Sequence, residues 1–159
     1  CELLDFDLDG DAVPCDEILQ KLNSSLVEGV RVLQVYENGS KIKHLAYLDC
    51  TVDFVYDREV FDTELSAVKK LFSRSSLTVE KKSKNGVTQQ DIIPMIRKLD
   101  ASLQEGHRIT IRARICCQNP TLNPVQLVAA IEKYLPDLKP DFVRICRKEI
   151  YNTDKEIFR

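Results

Sequence analysis

The run Arg108-Ile109-Thr110-Ile111-Arg112-Ala113-Arg114-Ile115-Cys116 alternates polar and apolar side chains without a break. A period of two belongs to a β-strand, whose successive side chains point to opposite faces. Such a strand buries one face and keeps the other polar, so the chain is expected to build a sheet with helices on one face and either solvent or a partner on the other. A second long run makes the same demand. Over Leu45 to Tyr56, Ala46, Leu48, Cys50, Val52 and Phe54 share one face, and Tyr47, Asp49, Thr51 and Asp53 share the other.

The cover comes from amphipathic helices. Asp62 to Ser73 places Leu65, Val68, Leu71 and Phe72 on one helical stripe. Asn123, Pro124 and Gln126 make a capping-box-like start for a helix running to Leu135, with Leu127, Val128 and Ile131 inward and Pro136 as its stop. Leu77 to Lys84 and Val87 to Ile93 flank the hairpin signal Asn85-Gly86, and Pro94 then starts a helical turn carrying Ile96 and Leu99. Phe142 to Tyr151 reads as the last strand.

Residues 41–159 are therefore expected to form a ferredoxin-like α+β unit, βαββαβ, with an inserted β-hairpin arm at 77–93. Residues 1–40 read as a βαβ remnant of a second, similar unit. Its parts are a strand at Leu4 to Leu8, a helix opened by Pro14 and closed by Gly29, and a strand at Val30 to Tyr36. The helix carries the stripe Ile18, Leu19, Leu22 and Leu26. The opening Cys1-Glu2-Leu3-Leu4 has no initiating Met and no basic leader, and is expected to be a cut inside a longer chain.

Composition serves to exclude. The 159 residues suit one domain or two very small ones. Lys plus Arg is 23 against 25 Asp plus Glu, a net charge of −2, so any nucleic-acid affinity must come from a local patch. The nearest glycines, Gly29 and Gly39, are too far apart for a glycine-rich phosphate cradle. No stretch approaches the ~20 apolar residues of a membrane span, and no membrane partner is expected. The six Cys show no C-x-x-C, and several sit among apolar neighbours as buried free thiols do, which points to a reducing, cytoplasmic compartment.

Four constellations carry chemistry, each with a plainer reading beside it. Asp5, Asp7, Asp9 and Gly10, with Asp16 further on, nearly match a calcium loop, but the strand-like flanks, the stiff Pro14 and Asp16 in place of a bidentate Glu favour an acidic turn; no metal is expected. Arg108, Arg112 and Arg114 share one strand face with Thr110, and Arg144, Arg147 and Lys148 lie on the last strand. These arginines can grip a phosphate backbone. Alternatively, the first and third core strands of a βαββαβ sheet are neighbours, so Asp49 and Asp53 can neutralise Arg112 and Arg108 across them. Tyr47 is the only aromatic side chain expected on that face. Lys81, Lys82 and Lys84 on the hairpin, with Lys69, Lys70 and Arg74, are either a solvated edge or a probe for RNA or an acidic partner. Cys116-Cys117 point to opposite faces of a strand and read as structural, and neither His44 nor His107 has a partner for acid–base work.

Several stretches together resemble one family. They are Leu22-Asn23, Gly29-Val30-Arg31-Val32-Leu33, Ala46-Tyr47, Lys84-Asn85-Gly86 and Asp91-Ile92-Ile93-Pro94-Met95-Ile96, then Asn119-Pro120, Leu122, Pro124, Val143-Arg144-Ile145-Cys146-Arg147 and Tyr151. The chain resembles the bacterial radical-SAM-linked domain of unknown function, found alone or joined to the C-terminus of a radical SAM protein with a cobalamin-binding-like region. That family begins with a further strand-helix-strand segment and has an Arg before the equivalent of Pro94, where this chain has Ile93. The resemblance implies a radical SAM iron-sulfur protein as partner. The chain has no C-x-x-x-C-x-x-C to hold a cluster of its own, and no cofactor is expected. The expected function is a non-catalytic accessory or substrate-recognition module of a radical SAM enzyme, with RNA as the candidate substrate. The alternatives are a protein–protein docking domain for that partner, or a fragment of an RNA-processing or RNA-modifying enzyme.

Overall fold

The computed structural model describes residues 3–37, 39–83 and 86–159. The chain divides into two compact units. The first spans residues 2–42 with Arg159, and the second spans 43–158.

The first unit holds α1 (Cys15–Ser25), entered after Pro14 and carrying Asp16 and Glu17 in its first turn. Glu17 pairs with Lys21 at 2.8 Å on an exposed face. No residue of α1 is buried; Ile18, Leu19 and Leu22 are half-buried. The two strands expected around it are absent among the described residues: 4–8 and 30–36 carry no ladder. Alternation provides two faces but no partner for the backbone, and a strand exists only through its ladder. At Val32 the backbone is served by a side chain instead. The Asn23 amide accepts the Val32 N–H at 2.8 Å and donates to its carbonyl at 3.1 Å.

The second unit contains β1 (Leu45–Val55), α2 (Asp62–Phe72), β2 (Thr78–Ser83), β3 (Gly86–Asp91), β4 (Ile96–Gln104), β5 (Arg108–Cys116), α3 (Val125–Tyr134) and β6 (Phe142–Asn152). β4, β5, β1 and β6 form one antiparallel sheet in that order, and β2 pairs with β3 alone. With the hairpin set aside, the first sheet strand lies between the third and the last, as the ferredoxin-like α+β arrangement demands. Leu48, Cys50, Val52 and Phe54 of β1 and Ile109, Ile111, Ala113 and Ile115 of β5 face the core, where α2 adds Val68 and Leu71 and α3 adds Leu127, Ala130 and Ile131. Among the described residues no helix is long and apolar enough to cross a membrane.

One strand differs from the expectation. Only Ile93–Met95 forms a helical turn, and Ile96 and Leu99 lie on β4. The ladder slips between Ile96 and Lys98, so Arg97 is an extra, bulged residue. The bulge puts Ile96 and Leu99 out of phase and gives them a helix-like spacing. Beyond it Leu99, Ala101 and Leu103 alternate inward opposite Ala113, Ile111 and Ile109.

The base of the hairpin is anchored to α3. Val79 and Leu77 are buried, and the Thr78 carbonyl accepts from Lys133 Nζ at 2.9 Å and Tyr134 Oη at 2.8 Å, both on α3. Gln126, only 6% exposed, accepts the Asn123 N–H at 3.0 Å and donates to Gln90 Oε1 of β3 at 3.0 Å. Asp91 closes the hairpin base by accepting the Leu77 N–H at 2.8 Å.

Candidate nucleic-acid interface

The face of the sheet turned away from the buried cluster is ordered into cross-strand rows by the register. Arg114 lies opposite Asp49 and Lys98, with Glu149 on the far side of Asp49. The next row is Cys146, Thr51, Arg112 and Asp100, and the one after it Arg144, Asp53, Thr110 and Ser102. Cations and carboxylates thus interleave, and the charge cancels row by row across the strands.

The expected ladder between β1 and β5 exists, displaced by one rung. Asp49 meets Arg114 rather than Arg112, through two parallel bonds of 2.7 Å and 2.8 Å. Asp53 accepts the Thr110 hydroxyl at 2.7 Å rather than pairing with Arg108. Alternation decides which face a side chain takes, but not which rung it meets. Arg114 beside Asp49 holds that carboxyl below the usual aspartate range, against the opposing effect of burial, and the same bond raises Arg114.

The remaining candidate residues spread out. Arg112 donates to Ser102 Oγ at 3.3 Å, and Arg108 pairs with Glu105 at 3.3 Å. Arg144 is exposed opposite Asp53. A slip in the β1–β6 ladder between Asp49 and Cys50 sets Arg147 in register with the core-facing Cys50, off the row phase of Arg144. On the hairpin, half-buried Lys81 donates to the Thr121 carbonyl at 3.3 Å, and the Lys82 backbone pairs with Val87. Lys84 and Asn85 lie outside the described residues. Asp5, Asp7 and Asp9 sit on exposed backbone and Asp16 in the first turn of α1. Among the described residues no three His, Cys, Asp or Glu side chains are grouped to hold a metal ion.

Two residues of one corner of the face were not legible in the sequence. Tyr151 is the register partner of Tyr47 across β1 and β6, so two tyrosines stand side by side. Counting rungs from Asp53–Arg144 would have placed Tyr151 there only with the β6 slip included. Arg97, turned by its bulge, brings its guanidinium carbon 5.8 Å from the Tyr47 ring centre, and that of Arg114 lies 4.0 Å from the Tyr151 ring centre. Tyr151 also shares a hydrogen bond with Asp49, and its hydroxyl pKa is raised first by burial and then by the Asp49 charge. Rings and guanidinium planes in one corner of an open sheet are surfaces on which unstacked bases can lie, with cationic edges left for phosphates.

Fold and site together define a ferredoxin-like α+β domain with a half-buried tyrosine–arginine corner on its polar sheet face. Residues 1–124 match the bacterial family described as uncharacterized protein conserved in bacteria (DUF2344), and the chain belongs to that family. The match ends before α3 and β6, so Tyr151 and Arg144 lie beyond it. No curated protein and no solved structure matches the chain.

Proposed function

We propose that the chain is a non-catalytic accessory module that recognises single-stranded RNA on its open sheet face, on behalf of a radical SAM enzyme. The observation that carries the RNA reading is the Tyr47–Tyr151 pair with Arg97 and Arg114 stacked on it. Because charge on this face nearly cancels, stacking supplies more of the affinity than phosphate attraction does. The non-catalytic role is supported by the thiols: burial pushes Cys50 and Cys117 up to about 11, so neither is a nucleophile near neutral pH. Free cysteines throughout the described residues support a cytoplasmic setting. The radical SAM partner rests on the sequence resemblance alone, and recovery of such a protein with the chain from native cells tests it.

Fluorescence anisotropy with labelled single-stranded RNA tests the RNA reading. Tyr47→Ala and Tyr151→Ala should each weaken binding roughly 5- to 150-fold, the worth of one stacked base. Equal binding by wild type and the double variant refutes it. A second reading, docking to a protein partner, is favoured by edge strand β6, where Phe142 is 62% and Ile145 37% exposed.

A further inference from the structure

Between the last turn of α2 and β4 lies a hollow of about 350 Å³. Lys69, Arg97 and Lys98 line it against a single carboxylate, Asp100, so it attracts anions. Half-buried Phe72 and Leu99 give it an apolar side. A helix C-terminus would ordinarily repel an anion, because its last carbonyls are unpaired. Here three of the last four are occupied. The Lys69 carbonyl accepts the Ser73 N–H at 3.1 Å, the Lys70 carbonyl the Ser73 hydroxyl at 2.9 Å, and the Leu71 carbonyl the Arg74 N–H at 3.4 Å.

The volume is at the small end of ligand sites, which run from roughly 300 to 1,000 Å³, and suits a single nucleotide. Arg97 both lines this hollow and lies over Tyr47, so its side chain links the hollow at the β4 edge to the tyrosine corner on the other face of the sheet. We infer that it is a subsite for a phosphate-bearing terminal nucleotide, with the phosphate on Lys69, Arg97 and Lys98 and the base against Phe72 and Leu99. The inference rests on the reading of the sheet face as an RNA platform. The same chemistry could come from an RNA end or from a free nucleotide, and the two are separable.

The test titrates the full chain with a short single-stranded RNA carrying a phosphate at its 5′ end, at its 3′ end or at neither, and separately with adenosine monophosphate by calorimetry. One phosphorylated RNA should bind about tenfold tighter than the hydroxyl-ended form, the worth of one charge-assisted contact. Lys69→Glu, on an exposed helix position, should reduce that ratio to near one. Saturable monophosphate binding that Lys69→Glu abolishes, with no RNA binding, upholds the hollow as a nucleotide site while the platform reading fails. Equal affinity for all three RNAs together with no monophosphate binding overturns the inference and leaves the platform reading standing.

Discussion

Removing the Asp49–Arg114 pair should cost a measurable and pH-dependent amount. Two unit charges ~4 Å apart attract by about 4 kcal/mol at surface-like screening. Dehydrating both groups and immobilising a long side chain cancels most of this, and exposed pairs retain roughly 0.2–1 kcal/mol. Asp49 and Arg114 are 30% and 29% exposed, and their two parallel bonds have good geometry. The Tyr151 ring already restrains the guanidinium, so less freedom is lost when the pair forms. The coupling should therefore reach the upper end, about 1 kcal/mol. A double-mutant cycle of Asp49→Asn and Arg114→Gln, read by urea unfolding, isolates it. The folded pKa of Asp49 lies below its unfolded value. Its contribution is thus complete above the unfolded pKa, near 3.9, and disappears as pH falls through the folded one. A coupling under ~0.3 kcal/mol at pH 7, or one that persists unchanged once the carboxyl is protonated, would refute the reasoning.

Three further outcomes are expected. Ile111→Ala removes a fully buried side chain flanked in register by Val52 and Ala101, and should cost roughly 2–5 kcal/mol in urea unfolding; a loss under ~1 would contradict its position at the sheet centre. Buried Cys50, pushed up to about 11, should react with a thiol-directed disulfide reagent at pH 8 far more slowly than free cysteine, with half-buried Cys117 in between, and a Cys50 rate equal to free cysteine would contradict its burial. Neutralising Lys81, Lys82 and Lys84 together should leave RNA affinity within about twofold; a drop of two to three units in the salt slope would instead place the hairpin in the interface.

What could be read from the residues divides along a physical line. Alternation identified β1 and β5 with their faces, because a one-residue slip would exchange buried Ile111 with exposed Arg112. Turn and cap chemistry located the hairpin and α3 through Gly86, Asn123 and Gln126, whose roles are local. Register is not local. It depends on how strands from distant parts of the chain settle against each other, so Asp49 was assigned the wrong arginine. Bulges add a second blind spot. One at Arg97 disguised β4 as a helical turn, and the slip on β6 hid Tyr151, so the two residues that complete the corner were the two that periodicity could not place. At 4–8 and 30–36 the pattern was present without a partner strand among the described residues, and pattern alone does not make a sheet.

The Gln126 amide has a consequence for how the domain opens. Its oxygen is committed to the Asn123 N–H at the start of α3 and its nitrogen to Gln90 on β3, so rotating the amide to relax one bond breaks the other. Lys133 and Tyr134 tie the far end of the same helix to Thr78 on β2. Neither element can swing away while the other stays closed. Hairpin and helix therefore behave as one cooperative opening unit, and their amide protons should exchange with solvent at a common rate despite the distance between them in sequence. Gln126→Leu would uncouple the β3 end, letting that strand exchange ahead of α3.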